Sequence, residues 1–221
     1  MTESNCDSPV ALCQYLWPDA MIWSKPREML NAVRHSAETY VQAGNELSKD
    51  WTLGRLAIGF MLSPWTWYGR EHFLRIDGRT DLPKDAPEYV RHQRRVVTTS
   101  VKDKHLDVLW GEIGNAWRTC SVDLGRVFVM TDKEIRFREE ADSKNCSSYC
   151  VGVVSGSENS EGLSGHHAPY TLAMIDEASG SNDGVHTALT EWCARLVVIG
   201  NPKPCSNFYK EYCQAGDLRI A

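Results

Sequence analysis

Residues 43–50, AGNELSKD, resemble the frame of a phosphate-binding loop: Gly44, three residues, the small Ser48, and then Lys49. In such a loop a glycine permits a tight turn, and successive main-chain N–H groups point at phosphate oxygens. The start of the following helix adds partial positive charge. Gly44, Asn45, Glu46, Leu47 and Ser48 would form the cradle, with Lys49 neutralising the β and γ phosphates. Two positions depart from the usual pattern. Ser48 stands where a second glycine is common, and Asp50 stands where a Ser or Thr hydroxyl normally ligates magnesium. The Asp50 carboxylate can reach Mg²⁺ directly or through water, but it brings negative charge beside the phosphates unless the metal lies between. Taken alone, the segment reads equally as a nucleotide site and as a polar strand-to-helix turn.

Residues 172–178, LAMIDEA, tip that balance, because an apolar run ending in Asp176 and Glu177 places two carboxylates at the C-terminal edge of a buried strand. The pattern resembles a Walker B motif. Asp176 would hold Mg²⁺, and Glu177 would polarise the water that attacks the γ phosphate. A strand running into a solvated helix cap explains the same residues, but not their place downstream of a phosphate-loop frame. Residues 197–202, VVIGNP, form a third strand end, where the Asn201 amide can both donate to and accept from the γ phosphate or its attacking water. A plain Gly-Asn-Pro turn accounts for this segment by itself. Thr98, Thr99 and Ser100 end another apolar run, although paired threonines in a strand are usually structural.

The elements that must position these residues follow from periodicity. Residues 1 to about 25 read as a polar, irregular lead-in with Trp17, Pro18 and Trp23 as anchors, and 26–221 as the domain proper. Helical spacing is expected over Glu28–Ala37, again from Trp51 to the residues before Pro64, and over Asp103–Arg118. Strands are expected at Glu38–Ala43, Arg95–Val101, Val151–Ser155, Thr171–Ile175 and Arg195–Ile199, with a hairpin from Val127–Met130 and Glu134–Phe137. A further helix is expected near Val185–Ala194. Pro64 to His92 lacks periodicity and reads as an insertion or functional loop, and Ser155–Gly165 is rich in Gly and Ser. Apolar runs alternating with helices predict an α/β fold with a mainly parallel central sheet flanked by helices.

With 221 residues, 42% hydrophobic residues and eight Trp, one packed domain is the expectation, and a disordered or fibrous chain is excluded. The net charge of −5 is unlike that of a domain wrapped tightly around nucleic acid, so contact with DNA must be local or transient. The basic stretch Arg91–Arg95, and Lys102 with Lys104, read as solvated faces. Eight cysteines without any CxxC, and adjacent His166 and His167, argue against zinc and for free thiols in a reducing compartment. Neither an export leader nor an apolar run of about 18 residues is present, which points to the cytoplasm.

Over roughly residues 20–215 the chain resembles the ATPase domain of large terminase subunits of tailed phages. The resemblance is carried, in order, by WSKPREML at 23–30, AGNELSKDW at 43–51, RVVTTSVKDKHLDVLWGEI at 95–113, EGLSGHHAPYTLAMIDEASG at 161–180 and VVIGNPKPCSNFYK at 197–210. It implies a P-loop NTPase of the RecA-like, ASCE type that uses ATP and Mg²⁺. By that resemblance Lys49 is the phosphate lysine, Asp176 the magnesium carboxylate, Glu177 the catalytic carboxylate and Asn201 the residue coupling hydrolysis to movement. Pro26 stands where the family often has Gln, which leaves ring stacking by Trp23 as an adenine contact. Arg55, Arg94 and Arg95 are candidates for an arginine finger. The implied partners are double-stranded DNA held by its backbone, the portal protein, the small terminase subunit and further copies of the chain in a ring on the capsid, in the host cell cytoplasm. Residues 203–221 are too few for the nuclease domain of full-length terminases, so no nuclease activity is expected. Two rival readings are a helicase-like P-loop motor and a non-hydrolysing assembly module with a degenerate P-loop; a zinc-stabilised binding protein is weaker.

Overall fold

Five runs of β-branched and aliphatic residues pair side by side, and the inner ones are buried on both faces, as a parallel sheet covered by helices requires. The computed structural model describes residues 8–44, 48–62, 93–155 and 161–214. The strands are β1 (Glu38–Gln42), β2 (Arg94–Ser100), β3 (Phe128–Met130), β4 (Glu134–Phe137), β5 (Tyr149–Val154), β6 (Tyr170–Asp176) and β7 (Arg195–Gly200). The helices are α1 (Pro9–Leu16), α2 (Ser24–His35), α3 (Lys49–Leu62), α4 (Asp103–Thr119), α5 (Asp183–Thr190) and α6 (Phe208–Gln214).

The seven strands lie in the order β1-β7-β6-β2-β5-β4-β3. β1, β7, β6, β2 and β5 are parallel, while the β3–β4 hairpin continues the sheet antiparallel to β5. This is the predicted α/β P-loop architecture, with β7 inserted between the strand that enters the phosphate-loop frame and the strand that ends in Asp176. The Gly-rich stretch contains residues 156–160, and these, with Pro64–His92, lie outside the described residues.

Each face of the sheet has its own core. On one, Leu30, Leu53, Leu56, Leu109 and Ile113 from α2, α3 and α4 pack against Val96, Met174 and Val197. On the other, Leu189 of α5 and Tyr209 of α6 pack against Tyr40, Ile175 and Val198. Helices α3 and α4 touch most closely at Gly54, where an added Cβ would lie 2.9 Å from the main-chain carbon and oxygen of Glu112. The position tolerates only a hydrogen, because backbone cannot swing aside as a side-chain tip can.

From Ser8 onward the expected irregular lead-in is ordered instead into a helix. Ser8 caps α1 by accepting from the Ala11 N–H at 3.5 Å, Pro9 occupies the first turn, and Val10, Leu12, Cys13 and Leu16 are buried against the α2–α3 core. Its two turns are too short to display a helical period against a polar background. The anchoring role expected of Trp17 is seen: its Nε1 donates to the Ala116 carbonyl at 2.8 Å. Helix α5 stops at Thr190, earlier than Val185–Ala194 suggested, because Trp192 turns inward to donate to the Leu163 carbonyl at 2.7 Å. Among the described residues no helix is long and apolar enough to cross a membrane.

Candidate functional site

Parallel strands share one C-terminal edge, and in open α/β sheets ligands gather there. β1 ends at Gln42, β2 at Ser100, β6 at Asp176 and β7 at Gly200, and α3 opens with Lys49. The register sets Ser100 opposite Asp176. Sequence positions far apart therefore converge. Lys49 Nζ donates to Asp176 Oδ1 at 3.1 Å and also contacts Glu177 Oε1 in a short ion pair. The Asn201 amide nitrogen lies 3.3 Å from both Glu177 carboxylate oxygens. Asp176 is 2% exposed and Asn201 7%, so these polar groups sit in the wall of the sheet and not on an open surface.

The backbone is strained at two of these positions. Ser48 and Glu177, both at φ 54°, are the non-glycine residues in the left-handed region among those described. Such a conformation costs on the order of 1–3 kcal/mol and persists only where the surroundings impose it. At Ser48 it explains why a glycine is usual in the frame, since the position itself demands a positive φ. The Ser48 carbonyl is fixed by the Thr52 N–H at 3.0 Å and hydroxyl at 2.9 Å. Gly44 was expected to permit the tight turn, but it has no positive φ and an added Cβ there would meet nothing within 4 Å. Among the described residues of the loop the positive φ is at Ser48, and Asn45, Glu46 and Leu47 lie outside the described residues.

Charge is arranged unevenly across the cluster. Burial, and then the neighbouring Asp176, push the Asp50 carboxyl up to about 6 against the pull of Lys49. Burial likewise raises Asp176, only partly offset by Lys49. For Glu177, burial would raise the carboxyl, but the Lys49 hydrogen bond and charge outweigh it, with His105 and Lys203 adding to the pull, and hold it below the usual carboxylate range. Burial draws the Lys49 ammonium down, yet its carboxylate partners leave it above the ordinary lysine value. Glu177 is thus held ionised, as a base that orients water must be.

The donor set suits a hard divalent cation bound together with phosphates. Asp50 Oδ1 and Asn201 Oδ1 are buried oxygens without a hydrogen-bond partner, next to the Asp176 and Glu177 carboxylates. Among the described residues no group of three or more His, Cys, Asp and Glu is arranged to hold a metal ion by itself. Mg²⁺ ordinarily takes one or two protein carboxylates and completes its shell with phosphate and water, so the residues fit a metal that arrives with a nucleotide.

Trp23 is 41% exposed, and its ring centroid lies 5.8 Å from that of Trp51, one residue beyond Asp50. With Trp17, Met21 and Arg55 the two rings border a cavity of about 390 Å³, whereas Pro26 is buried. Arg55 is 6% exposed and stacks 3.9 Å from the centroid of Trp51, and Arg94 is 1% exposed. Both side chains are largely covered within the chain, Arg55 at the wall of that cavity and Arg94 at the start of β2. Arg95 remains half-buried over Tyr149 at the start of β2. His105, in the first turn of α4, and Lys203, just past Asn201, act on Glu177 although the motifs did not single them out. Both follow strand ends at the ligand-binding edge, and that position was the available signal.

No protein-family model matches the chain, and no curated protein matches it. Among solved structures, the crystal structure of the HK97 bacteriophage large terminase matches with a TM-score of 0.60 at 10% identity. That match covers 92% of this chain and 38% of the HK97 chain. The large terminase ATPase domain of Thermus phage P74-26 matches with a TM-score of 0.55 at 10% identity, covering 88% of this chain and 70% of that domain. A single-site variant of the same domain gives a TM-score of 0.56 with the same identity and coverage. The chain has the fold of phage large terminase ATPase domains, and it spans well under half the length of the HK97 protein.

Proposed function

We propose that the chain hydrolyses ATP as a motor domain that powers movement of viral double-stranded DNA into a procapsid. The observation that carries this reading is the convergence of Lys49, Asp176, Glu177 and Asn201 at one strand edge of a terminase-type fold. Lys49 neutralises the β and γ phosphates, Asp176 and Asp50 hold Mg²⁺, and Glu177 orients and deprotonates the attacking water. Mg²⁺, when bound, supplies the positive charge that stabilises the transferring phosphoryl group. Asn201 holds the Glu177 carboxylate in place and relates it to the loop after β7. Trp23 offers an aromatic face to the adenine beside the first turn of α3. The motor unit comprises residues 26–221 together with the helix α1 that packs into the same core.

In this reading several copies form a ring on the portal protein, in the host cytoplasm, with the small terminase subunit as a further partner. Grip is directed at the phosphate backbone, because a motor that moves along every sequence must not read bases. Steady-state phosphate release with Mg²⁺ and ATP, with and without duplex DNA, tests the proposal. Turnover that Lys49→Ala and Glu177→Ala both abolish supports it. A chain that neither binds nor hydrolyses nucleotide at any protein concentration refutes it.

A further inference from the structure

Beside Asn201, on the face of the sheet covered by α6, lies a second cavity of about 340 Å³. It is lined by Gln42, Pro202, Lys203, Pro204, Cys205, Tyr209 and Lys210, with no carboxylate among them. In a chain of net charge −5, a concavity lined, among the described residues, by two ammonium groups, one amide and no acid is a local reversal of sign. Such a concavity concentrates anions.

The walls are rigid. Tyr209 is buried, and its hydroxyl donates to the Gly200 carbonyl at 2.6 Å and lies 3.0 Å from the Val41 carbonyl, which ties α6 to the ends of β1 and β7. The ring approaches so closely that a Cβ on Gly200 would lie 2.9 Å from Tyr209 Cζ. Two prolines flank Lys203 and restrict its backbone. The same loop is joined to the candidate catalytic groups: the Lys203 N–H donates to the Asn201 carbonyl at 2.7 Å, and the Asn201 amide meets Glu177. Lys203 and Lys210 are exposed, so their ammonium groups are free to meet a ligand from solvent.

We propose that this cavity receives a backbone phosphate of duplex DNA between Lys203 and Lys210, so that DNA contact and Glu177 geometry share one loop. The inference rests on the motor reading above and gives it a contact point. A phosphodiester is favoured over an acidic protein segment by chemistry. Lysines serve as point charges for phosphate without the fork geometry that recognises carboxylates. A nucleotide's own phosphates share this chemistry, and the experiment separates the two sources.

Anisotropy titrations of a short labelled duplex against the full chain, at several salt concentrations, compare wild type with Lys203→Ala/Lys210→Ala. A fluorescent ATP analogue is titrated in parallel. Loss of two phosphate contacts lowers the log–log salt slope by about 1.8, so the difference in affinity shrinks roughly tenfold between about 50 and 200 mM salt. Lys210→Ala alone, at a residue outside the Glu177 cluster, leaves affinity for the ATP analogue unchanged, and its DNA-stimulated phosphate release falls with DNA affinity. Equal duplex binding and salt slope in wild type and variant overturn the inference. Weaker analogue binding with unchanged duplex binding also overturns it and assigns the cavity to the nucleotide. If wild type turns over ATP but binds no duplex, the inference falls and the ATPase stands. Loss of both fells the two together. Because both lysines are exposed, an unchanged melting temperature is expected for the double variant, which keeps the comparison on folded protein.

Discussion

Asp50→Asn should make the nucleotide-free chain more stable, with a pH dependence of definite sign. Burial and the charge of Asp176 raise this carboxyl from 3.8 to about 6 in the folded chain. At roughly 1.36 kcal/mol per pH unit the full difference corresponds to about 3 kcal/mol. Asp50 is only partly buried, so solvent screening reduces that to about 1–2 kcal/mol. The folded carboxyl binds its proton more tightly than the unfolded one. Its favourable contribution is therefore fully present below about pH 3.8 and is lost as pH rises through about 6. An amide has no such slope. Urea unfolding of wild type and Asp50→Asn should give equal stabilities near pH 4 and a gain of about 1–2 kcal/mol for the variant at pH 7.5. At this chain length the gain is a rise in Tm of about 3–6 °C. A variant no more stable at pH 7.5, or a gain that grows as pH falls, refutes the reasoning. The residue would be retained at a cost because the folded site is built to receive positive charge.

Three further outcomes follow from the geometry. Ser48→Gly relieves the positive φ and, after the entropy of glycine is set against it, should stabilise the chain by about 0.5–1 kcal/mol in the same assay, whereas Ser48→Val should destabilise it. Gly54→Ala drives a methyl into the Glu112 main chain and should cost about 1–3 kcal/mol; unchanged stability would mean that α3 and α4 separate freely. Lys49 neutralises Asp176 and Glu177, so nucleotide-free wild type should bind Mn²⁺ far more weakly than Lys49→Ala does, read by the loss of free Mn²⁺ signal in electron paramagnetic resonance. Equal affinities would show that the lysine does not compete with the metal.

Much of the architecture was legible because the inner strands are buried on both faces and read as continuous apolar runs. Val96 and Val97, Leu172 to Ile175, and Leu196 to Ile199 are such runs, and each ends in polar residues at the edge where ligands gather. Asp176, Glu177 and Asn201 were found by residue type at strand ends and Lys49 by its place in the phosphate-loop frame, and the fold brings them together. Less legible was what depends on three dimensions. Helix α1 has too few turns to show a period, and its apolar face is defined only by the α2–α3 core it meets. The strain at Ser48 and Glu177 is a backbone property that side-chain identity does not report. Arg55 and Arg94 read as available cations, but one is stacked on Trp51 and the other is enclosed at the start of β2. The Lys203–Lys210 cavity joins residues from the loop after β7 and from α6; the segment 197–210 contains them, but within it only Asn201 was given a role.

The most direct test of the central claim separates nucleotide binding from turnover at Glu177. Glu177→Gln keeps the shape of the side chain and its capacity to meet Asn201, but it removes the charge needed to activate water. The account predicts unchanged affinity for Mg²⁺-ATP and phosphate release lowered by at least about 100-fold, a loss typical of a missing general base. Turnover by Glu177→Gln close to that of wild type would contradict it.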